Sequence, residues 1–445
     1  MFVAHAPLVP DLLKKLPPEK VQAAIAASVP DEKDRYLHWD KLRRLPSPVD
    51  LSPEQWWLKI KLARANERRT LRLTDHYGRP FGFTLPDLVL RHLHYVDQRC
   101  SGEVAMDETV TSEKEAQRRF LVNSLMEEAI RSSQLEGATT SRLVAKEMLR
   151  SGREPKDRGE RMIANNYRAL QFMREDLSGD LTPDAVLELH RILTEGTLDN
   201  PDAAGRLQQP GEERVAVFDR DDQERPVHRP PPAEQLPERL ELLCRFANGV
   251  DDGSQFVHPV VRAILLHFWL AYDHPFEDGN GRTARILFFW AMRKHGYWLA
   301  EYLSISRLIR KAPARYERAF LETETDEGDT TYFLIHQLKV VETAIDDLYR
   351  YLRRKVAEQN DVKKMLHATD DLNGRQLALL THAAKHPDHT YTFSGHARSN
   401  RVTHETARAD LGSLADRGYL LRRLHGRTYV FEVPDDLPER LRESR

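Results

Sequence analysis

The stretch His274-Pro275-Phe276-Glu277-Asp278-Gly279-Asn280-Gly281-Arg282-Thr283-Ala284-Arg285 joins two apolar segments of the chain. The preceding segment, Val260 to Ala271, is mostly apolar, and the following one, Ile286 to Met292, is apolar on every side. A helix with such a pattern is normally buried all round. The sequence therefore predicts that this stretch, the loop motif, lies between two central helices of a helical core.

The residue types of the loop motif predict an anion site. Gly279 and Gly281 let the backbone approach a ligand without a Cβ in the way. A helix that begins at Asn280 would present free N–H groups and the positive end of its dipole, which favour an anion. Arg282 and Arg285 are three residues apart on one helix face, and guanidinium groups suit phosphate oxygens.

Two further residues of the loop motif suit phosphate chemistry. Asp278 offers a hard oxygen ligand for Mg²⁺ that bridges phosphates. His274 can accept a proton near neutral pH. A base, a carboxylate, an anion site and two arginines together favour phosphoryl or nucleotidyl transfer.

The loop motif resembles the signature of the Fic family, His-Pro-Phe-x-(Asp/Glu)-Gly-Asn-Gly-Arg-x-x-Arg, at every defined position. The resemblance implies a mainly α fold, with a helical Fic core and a β-hairpin flap. It also implies transfer of AMP from ATP, with Mg²⁺, to a Ser, Thr or Tyr hydroxyl. The resemblance leaves the target protein open, and the candidate targets include the chain itself.

The same resemblance gives each residue of the loop motif a role. His274 would deprotonate the target hydroxyl, Asp278 would hold Mg²⁺, and Phe276 would anchor the loop in the core. The α-phosphate region would be bound by Gly279, Asn280 and Gly281, and the β- and γ-phosphates by Arg282 and Arg285. Tyr316 is a candidate neighbour of the adenine, with a place in the core as the alternative.

A second stretch, residues 132–137, resembles the family's inhibitory motif through Ser132, Glu136 and Gly137. An apolar stripe of period near 3.6 predicts a helix near residues 121–137. Ser132 and Glu136 would share one face of it, and Gly137 would end it. A carboxylate that reaches Arg285 would occupy the guanidinium that the γ-phosphate needs. The resemblance therefore implies autoinhibition, and it leaves open removal of AMP as well.

Three regions are predicted along the chain. Residues 1–111 form an N-terminal domain with a short hairpin at Leu71–Phe83. Residues 112–355 form the Fic domain, with helical runs at Arg158–Glu175 and Pro183–Thr194 and a hairpin at Arg214–Val227 that resembles the family flap. Residues 370–445 form a winged helix-turn-helix domain, with helices at Gln376–Ala384 and Thr403–Arg417 and a hairpin at Tyr419–Val433.

The C-terminal region is locally basic. Between His396 and Arg427 there are seven arginines and no lysines, against the acids Glu405, Asp410 and Asp416. DNA is therefore a candidate partner, and a protein partner is the alternative. Two further functions stay open: a DNA-binding regulator whose Fic domain senses nucleotide, and transfer of another group such as UMP, phosphate or phosphocholine.

The bulk properties exclude other classes of protein. The chain has 445 residues, of which 40% are hydrophobic and 31% charged, and a net charge of −2. These values exclude a disordered chain and any global attraction to nucleic acid or membrane. Its two cysteines, Cys100 and Cys244, make no disulfide framework. With no signal peptide or membrane span recognised, we expect a cytoplasmic protein without a membrane partner; a homodimer is left open.

Overall fold

The structure is a computed structural model that describes residues 3–27, 35–47, 50–101, 114–177, 179–214, 217–218, 226–250, 256–367, 372–386, 389–425, 428–437 and 439–440. Contacts among these residues divide them into two compact units, one up to Leu348 and one from Tyr349 onward. None of the described helices is both long enough and apolar enough to cross a membrane.

The first unit is mainly helical, as predicted. Its helices are α1 (Val9–Lys15), α2 (Pro18–Ala26), α3 (Trp39–Leu42), α4 (Pro53–Glu67), α5 (Asp87–Cys100), α6 (Lys114–Leu135), α7 (Arg142–Ser151), α8 (Arg158–Glu175), α9 (Pro183–Thr194), α10 (Leu236–Ala247), α11 (Pro259–Asp273), α12 (Asn280–Lys294), α13 (Ile305–Lys311), α14 (Pro313–Glu324) and the first part of α15 (Thr331–His367). Short 3₁₀ turns lie at Pro201–Ala203, Ala233–Gln235 and Trp298–Tyr302. Its strands form two antiparallel pairs, β1 (Arg69–Thr74) with β2 (Pro80–Phe83) and β3 (Val217–Phe218) with β4 (Pro226–His228).

Local sequence explains where several of these helices begin. Asp157 and Thr182 cap α8 and α9, because their side-chain oxygens accept hydrogen bonds from N–H groups of the first turn. Pro183 suits the first position of α9, where no helical partner for an N–H exists. The predicted runs Arg158–Glu175 and Pro183–Thr194 are confirmed.

The core of the first unit is built around α11 and α12. Phe268 and Trp269 of α11 and Phe288 and Trp290 of α12 are almost completely buried. Burial of each such side chain contributes roughly 1.5–3 kcal/mol to the free energy of unfolding. The loop motif runs from the C-terminal end of α11 into the first turn of α12, and the core fixes it from both sides.

The N-terminal region packs against the segment between α14 and α15. The ammonium group of Lys61 donates to the carboxylate of Asp326 at 2.7 Å, and the hydroxyl of Tyr36 donates to Asp329 at 2.6 Å. The guanidinium carbon of Arg64 lies 3.5 Å from the centre of the Tyr36 ring. These contacts lie within the first unit, and the predicted boundary at residue 111 stays a prediction.

The predicted flap is described only in part. Strands β3 and β4 pair antiparallel, which agrees with a hairpin at this place. Residues 215–216 and 219–225 lie outside the described residues, so the tip of the predicted flap is not characterised.

The second unit continues from α15 into three helices and a three-stranded antiparallel sheet. The helices are α16 (Gly374–Lys385), α17 (Phe393–Asn400) and α18 (His404–Asp416), and the strands lie in the order β5 (Thr390–Tyr391), β7 (Thr428–Glu432), β6 (Leu421–His425). Leu380, Leu411, Leu414 and Phe431 form the centre of its core. The two predicted helices and the final hairpin are confirmed, whereas α17 was not predicted.

Candidate active site

The side chain of Asn280 fixes the loop motif. Its amide oxygen accepts from the backbone N–H of Phe276 at 2.9 Å, and its amide nitrogen donates to the Phe276 carbonyl at 2.8 Å. The same nitrogen lies 3.2 Å from Nδ1 of His274. Because the backbone contacts fix the amide orientation, Nδ1 accepts this hydrogen bond and the neutral ring carries its proton on Nε2. Asn280 therefore orders the loop and orients His274.

His274 is neutral at physiological pH. Its surroundings exclude water, which lowers the pKa of His274 to about 3, and the nearby cationic groups of His228 and Arg214 act in the same direction. Its backbone adopts the left-handed conformation, with φ of 45°, at the C-terminal end of α11. A neutral imidazole keeps a lone pair that can accept a proton.

Arg214 and His228 hold the end of α11 just before His274. Arg214 donates to the carbonyls of residues 273 and 274 at 2.7 and 3.1 Å. The ring nitrogens of His228 lie 2.7 Å from the Tyr272 carbonyl and 3.0 Å from the Glu324 carboxylate. Burial opposes the charged ring, but Glu324 outweighs it and raises the pKa of His228. Both residues were missed as site residues, and their positions at the ends of the predicted hairpin were the available signal.

Arg282 and Arg285 are both buried beneath the loop motif, at 0% and 1% exposure. Arg282 donates to the carbonyl of Leu193 at 3.2 Å and to the carboxylate of Asp278 at 3.3 Å. Its buried Nε has no hydrogen-bond partner among the described residues. A buried guanidinium N–H without a partner is costly, so Arg282 fits a bound anion.

Asp278 is the exposed carboxylate of the site. Its side chain is 42% exposed, and one oxygen accepts from the backbone N–H of Gly279 at 2.5 Å. No cluster of three His, Cys, Asp or Glu residues that could hold a metal occurs in the part of the chain that the structure describes. Since Mg²⁺ commonly binds one or two carboxylates together with substrate phosphates, a single exposed Asp278 fits it only alongside a nucleotide.

His190 of α9 supports the loop motif from below, and sequence reasoning missed it. Its ring stacks on Phe276, with the ring centres 3.7 Å apart and the planes 6° apart. Nδ1 accepts from the backbone N–H of Gly205 at 3.0 Å, so Nε2 donates to the Asp278 carbonyl at 2.8 Å. In the sequence nothing distinguishes His190 from an ordinary core histidine.

The two glycines of the loop motif are required for different reasons. Gly279 has a φ of 85°, and a Cβ there would lie 2.9 Å from the Thr194 methyl group. At Gly281 a Cβ would lie 2.3 Å from a carboxylate oxygen of Glu136. The absence of a side chain at residue 281 therefore lets the Glu136 carboxylate approach the N-terminal end of α12 closely.

One face of α6 reaches Arg285. The Glu136 carboxylate accepts from Nη2 of Arg285 at 2.7 Å. The Ser132 hydroxyl accepts from Nε at 2.9 Å, and the Ser132 carbonyl accepts from Nη2 at 3.3 Å. Gly137, with a φ of 96°, follows the end of α6 at Leu135. The structure thus brings the residues of the predicted inhibitory motif against the predicted phosphate-binding arginine.

Glu128 extends this face by one more turn and was not predicted. Its buried carboxylate accepts from the Ser304 hydroxyl at 2.9 Å and from the backbone N–H and hydroxyl of Ser306 at 3.2 and 2.5 Å. Burial raises the pKa of Glu128 despite these donors. Residues 128, 132 and 136 are four residues apart, so one stripe of α6, the α6 stripe, carries all three contacts.

Tyr316 of α14 lies in an aromatic cluster near the arginines. Its hydroxyl is 2.9 Å from Nε2 of His267, whose Nδ1 is buried without a partner among the described residues. The rings of Phe320 and Phe333 lie 5.1 and 5.9 Å from the Tyr316 ring. Its predicted place beside the adenine stays a prediction.

The class of the domain follows from comparison with known proteins. Residues 180–292, which span α9 to α12 and include the loop motif, match the Fic/DOC family. Over these residues the chain is therefore similar to Fic/DOC domains. The fold agrees with a crystal structure of a Fic family protein from Desulfovibrio desulfuricans G20, at a TM-score of 0.51 over 79% of this chain and 98% of that one. At 18% identity that likeness shows the fold alone.

Individual relatives in sequence are protein adenylyltransferases. The chain is 25% identical over 237 residues to the protein adenylyltransferase Fic of Nematostella vectensis, which is 52% of this chain and 50% of that protein. It is 28% identical over 173 residues to the protein adenylyltransferase fic-1 of Caenorhabditis elegans, which is 38% of this chain and 31% of that protein. The chain thus matches half or less of the length of these distant relatives.

Proposed function

We propose that the protein transfers AMP from ATP to a protein hydroxyl and that its own helix α6 holds it inactive. The observation that carries this proposal is the position of Arg285. Its buried guanidinium lies at the start of α12, where an anion is favoured, and it is occupied by Ser132 and Glu136 of α6.

The anion site suits the phosphates of ATP. Arg282 has a buried Nε without a partner among the described residues, and Arg285 has a partner that is a carboxylate of the same chain. Guanidinium groups bind phosphate oxygens with paired, charge-assisted hydrogen bonds. A terminal phosphate and the Glu136 carboxylate would compete for Arg285, and two anions at one guanidinium repel each other.

In the transfer step the target hydroxyl oxygen forms a bond to the α-phosphorus of ATP. The bond between the α-phosphorus and the α,β-bridging oxygen breaks, and pyrophosphate leaves with that electron pair. The hydroxyl proton goes to the neutral imidazole of His274. Asp278 would hold Mg²⁺, which when bound neutralises phosphate charge.

In the resting state the lone pair of His274 is not free. Nδ1 accepts from the Asn280 amide, at a distance of 3.2 Å that is long for such a bond. For His274 to act as a base, the target hydroxyl must displace this weak contact, or the ring proton must move from Nε2 to Nδ1. The contact therefore orients the ring without holding it strongly.

The experiment uses the full chain as the Glu136→Gly variant, with Mg²⁺ and ATP that is labelled at either the α- or the γ-phosphate. We expect the α label on the protein itself or on a lysate protein and no γ label. His274→Ala in the same background should abolish labelling, whereas exposed His94→Ala should leave it unchanged. Transfer of the γ label instead would replace AMP transfer by phosphate transfer.

Two other results would overturn the proposal. A folded Glu136→Gly protein that labels nothing would favour a nucleotide-sensing regulator, which needs no catalytic base. Full labelling by the His274→Ala protein would rule out the proposed base. An excess of unlabelled UTP should not reduce labelling from ATP. A reduction would indicate that the protein transfers UMP.

We also propose that the second unit is a winged helix. The support is the succession of α16, α17 and α18, followed by the β6–β7 hairpin, which pairs with β5 in one antiparallel sheet. In such a domain α18 would be the second helix of the helix-turn-helix and the hairpin would be the wing.

A further inference from the structure

Three arginines around the turn between α17 and α18 are exposed and unpaired. Arg398 lies in the last turn of α17, Arg401 is the left-handed residue that ends it, and Arg408 lies in the second turn of α18. None of the three side chains has a hydrogen bond or ion pair with any residue that the structure describes. We call this surface the arginine face.

Four further acids of the second unit are engaged with other arginines. They form ion pairs of 2.7–2.8 Å, namely Arg375–Asp410, Arg422–Asp416, Arg423–Glu432 and Arg440–Asp436. On α18 itself, Glu405 is the exposed acid beside these arginines. The arginine face therefore carries three positive charges against one negative charge.

The exposed side of α18 carries two small residues next to Glu405 and Arg408. Residues 405, 408, 409 and 412 lie on one helix face by their spacing, and residues 409 and 412 are Ala and Gly. A Cβ built at Gly412 would meet no atom within 4 Å. On the opposite side, Ala407, Leu411 and Leu414 are completely buried in the core. The backbone of α18 can therefore approach a concave surface closely while its other side anchors it.

We propose that the arginine face binds double-stranded DNA, with α18 in the major groove and Arg398 and Arg401 on phosphates. An α-helix about 10–12 Å across fits a major groove about 12 Å wide. Unpaired exposed arginines complement the phosphate backbone. A protein partner fits less well, because the face has no large apolar side chain, and such side chains form the centre of protein interfaces. This inference does not depend on AMP transfer.

The test measures anisotropy of a fluorescein-labelled DNA duplex of mixed sequence with the full chain at several salt concentrations. We expect binding that weakens as salt rises. Arg398→Glu/Arg401→Glu should weaken it at least about tenfold and lower the salt slope by about 2. The matched control, Arg245→Glu/Arg310→Glu, changes two exposed arginines of the first unit and hence the net charge equally. We expect the control to bind like the parent.

Three outcomes would overturn the proposal. They are no binding by the parent, equal weakening by the control, and tighter binding of an RNA duplex of the same sequence. Since the major groove of RNA is too deep and narrow for a helix, preference for RNA would contradict the placement of α18. Circular dichroism melting confirms that both double variants fold. Labelling from ATP should be unchanged in both, so this test and the test of AMP transfer fail independently.

Discussion

Replacing Glu136 by Gln removes the carboxylate charge from Arg285 and keeps the shape of the side chain. Glu136 makes one charge-assisted hydrogen bond of 2.7 Å, with a side chain that is 28% exposed, to a guanidinium that is 2% exposed. Hydrogen bonds to charged groups contribute about 1.5–3 kcal/mol, and partial exposure places this one near the lower end. Without this charge, nucleotide binding no longer has to displace a contact of about 1.5–2 kcal/mol, which corresponds to roughly a 10- to 30-fold gain in productive nucleotide binding.

The assay is the initial rate of labelling from α-labelled ATP, at ATP concentrations far below saturation. The control is Glu127→Gln on the same helix, because Glu127 pairs with Arg131 and Arg142 at 2.9 and 2.7 Å and not with Arg285. We expect a rate at least about 10-fold above that of the parent for Glu136→Gln, and the rate of the parent for Glu127→Gln. A Glu136→Gln rate equal to that of the parent, or an equal gain in the control, would refute the reasoning.

Two further predictions concern the supports of the site. Glu128→Ala leaves the donors of Ser304 and Ser306 unsatisfied, so we expect the free energy of unfolding in urea to fall by about 2–3 kcal/mol. We also expect this variant to label faster than the parent. Unchanged labelling would show that the contact of Glu128 with these serines does not contribute to autoinhibition. For His228 the raised pKa stabilises the folded protein fully below pH of about 6.5, and the contribution is lost as pH rises through the folded value. The difference in unfolding free energy between the parent and His228→Gln should therefore shrink as pH rises, and a pH-independent difference would exclude a charged His228 paired with Glu324.

Most of the helical framework could be predicted because the sequence is locally consistent. Caps such as Asp157 and Thr182 stand directly before the predicted helices, and the apolar segments of α11 and α12 are unmistakable. Helix α17 was missed because residues 393–400 include Gly, Asn and two Ser, which favour helix weakly. It forms through tertiary contacts: His396 is buried with Nε2 3.2 Å from the Asp410 carboxylate.

The candidate site was predictable where its residues are adjacent in sequence, and not where the fold brings them together. The loop motif is one continuous stretch, so its chemistry could be deduced from spacing. His190, His228 and Glu128 act on that chemistry from α9, β4 and α6, and their partners are 88, 44 and about 178 residues away. A single sequence contains no signal for such pairs beyond the helical spacing that links Glu128 to Ser132.

Several predictions concern properties that the fold does not reveal. The target protein, the modified residue, removal of AMP, a homodimer and a cytoplasmic location stay predictions or open questions. The boundaries at residues 111, 355 and 370 also stay predictions. The contacts divide the described residues at Leu348, which lies inside α15.

The burial of Arg285 has a consequence for the resting protein. A buried guanidinium such as that of Arg285 needs a counter-anion whenever the chain is folded, whether or not nucleotide is present. Glu136 provides that anion, so the inhibitory carboxylate also takes the place of a nucleotide phosphate at Arg285. A chain that loses Glu136 should therefore gain more stability from bound ATP than the parent does.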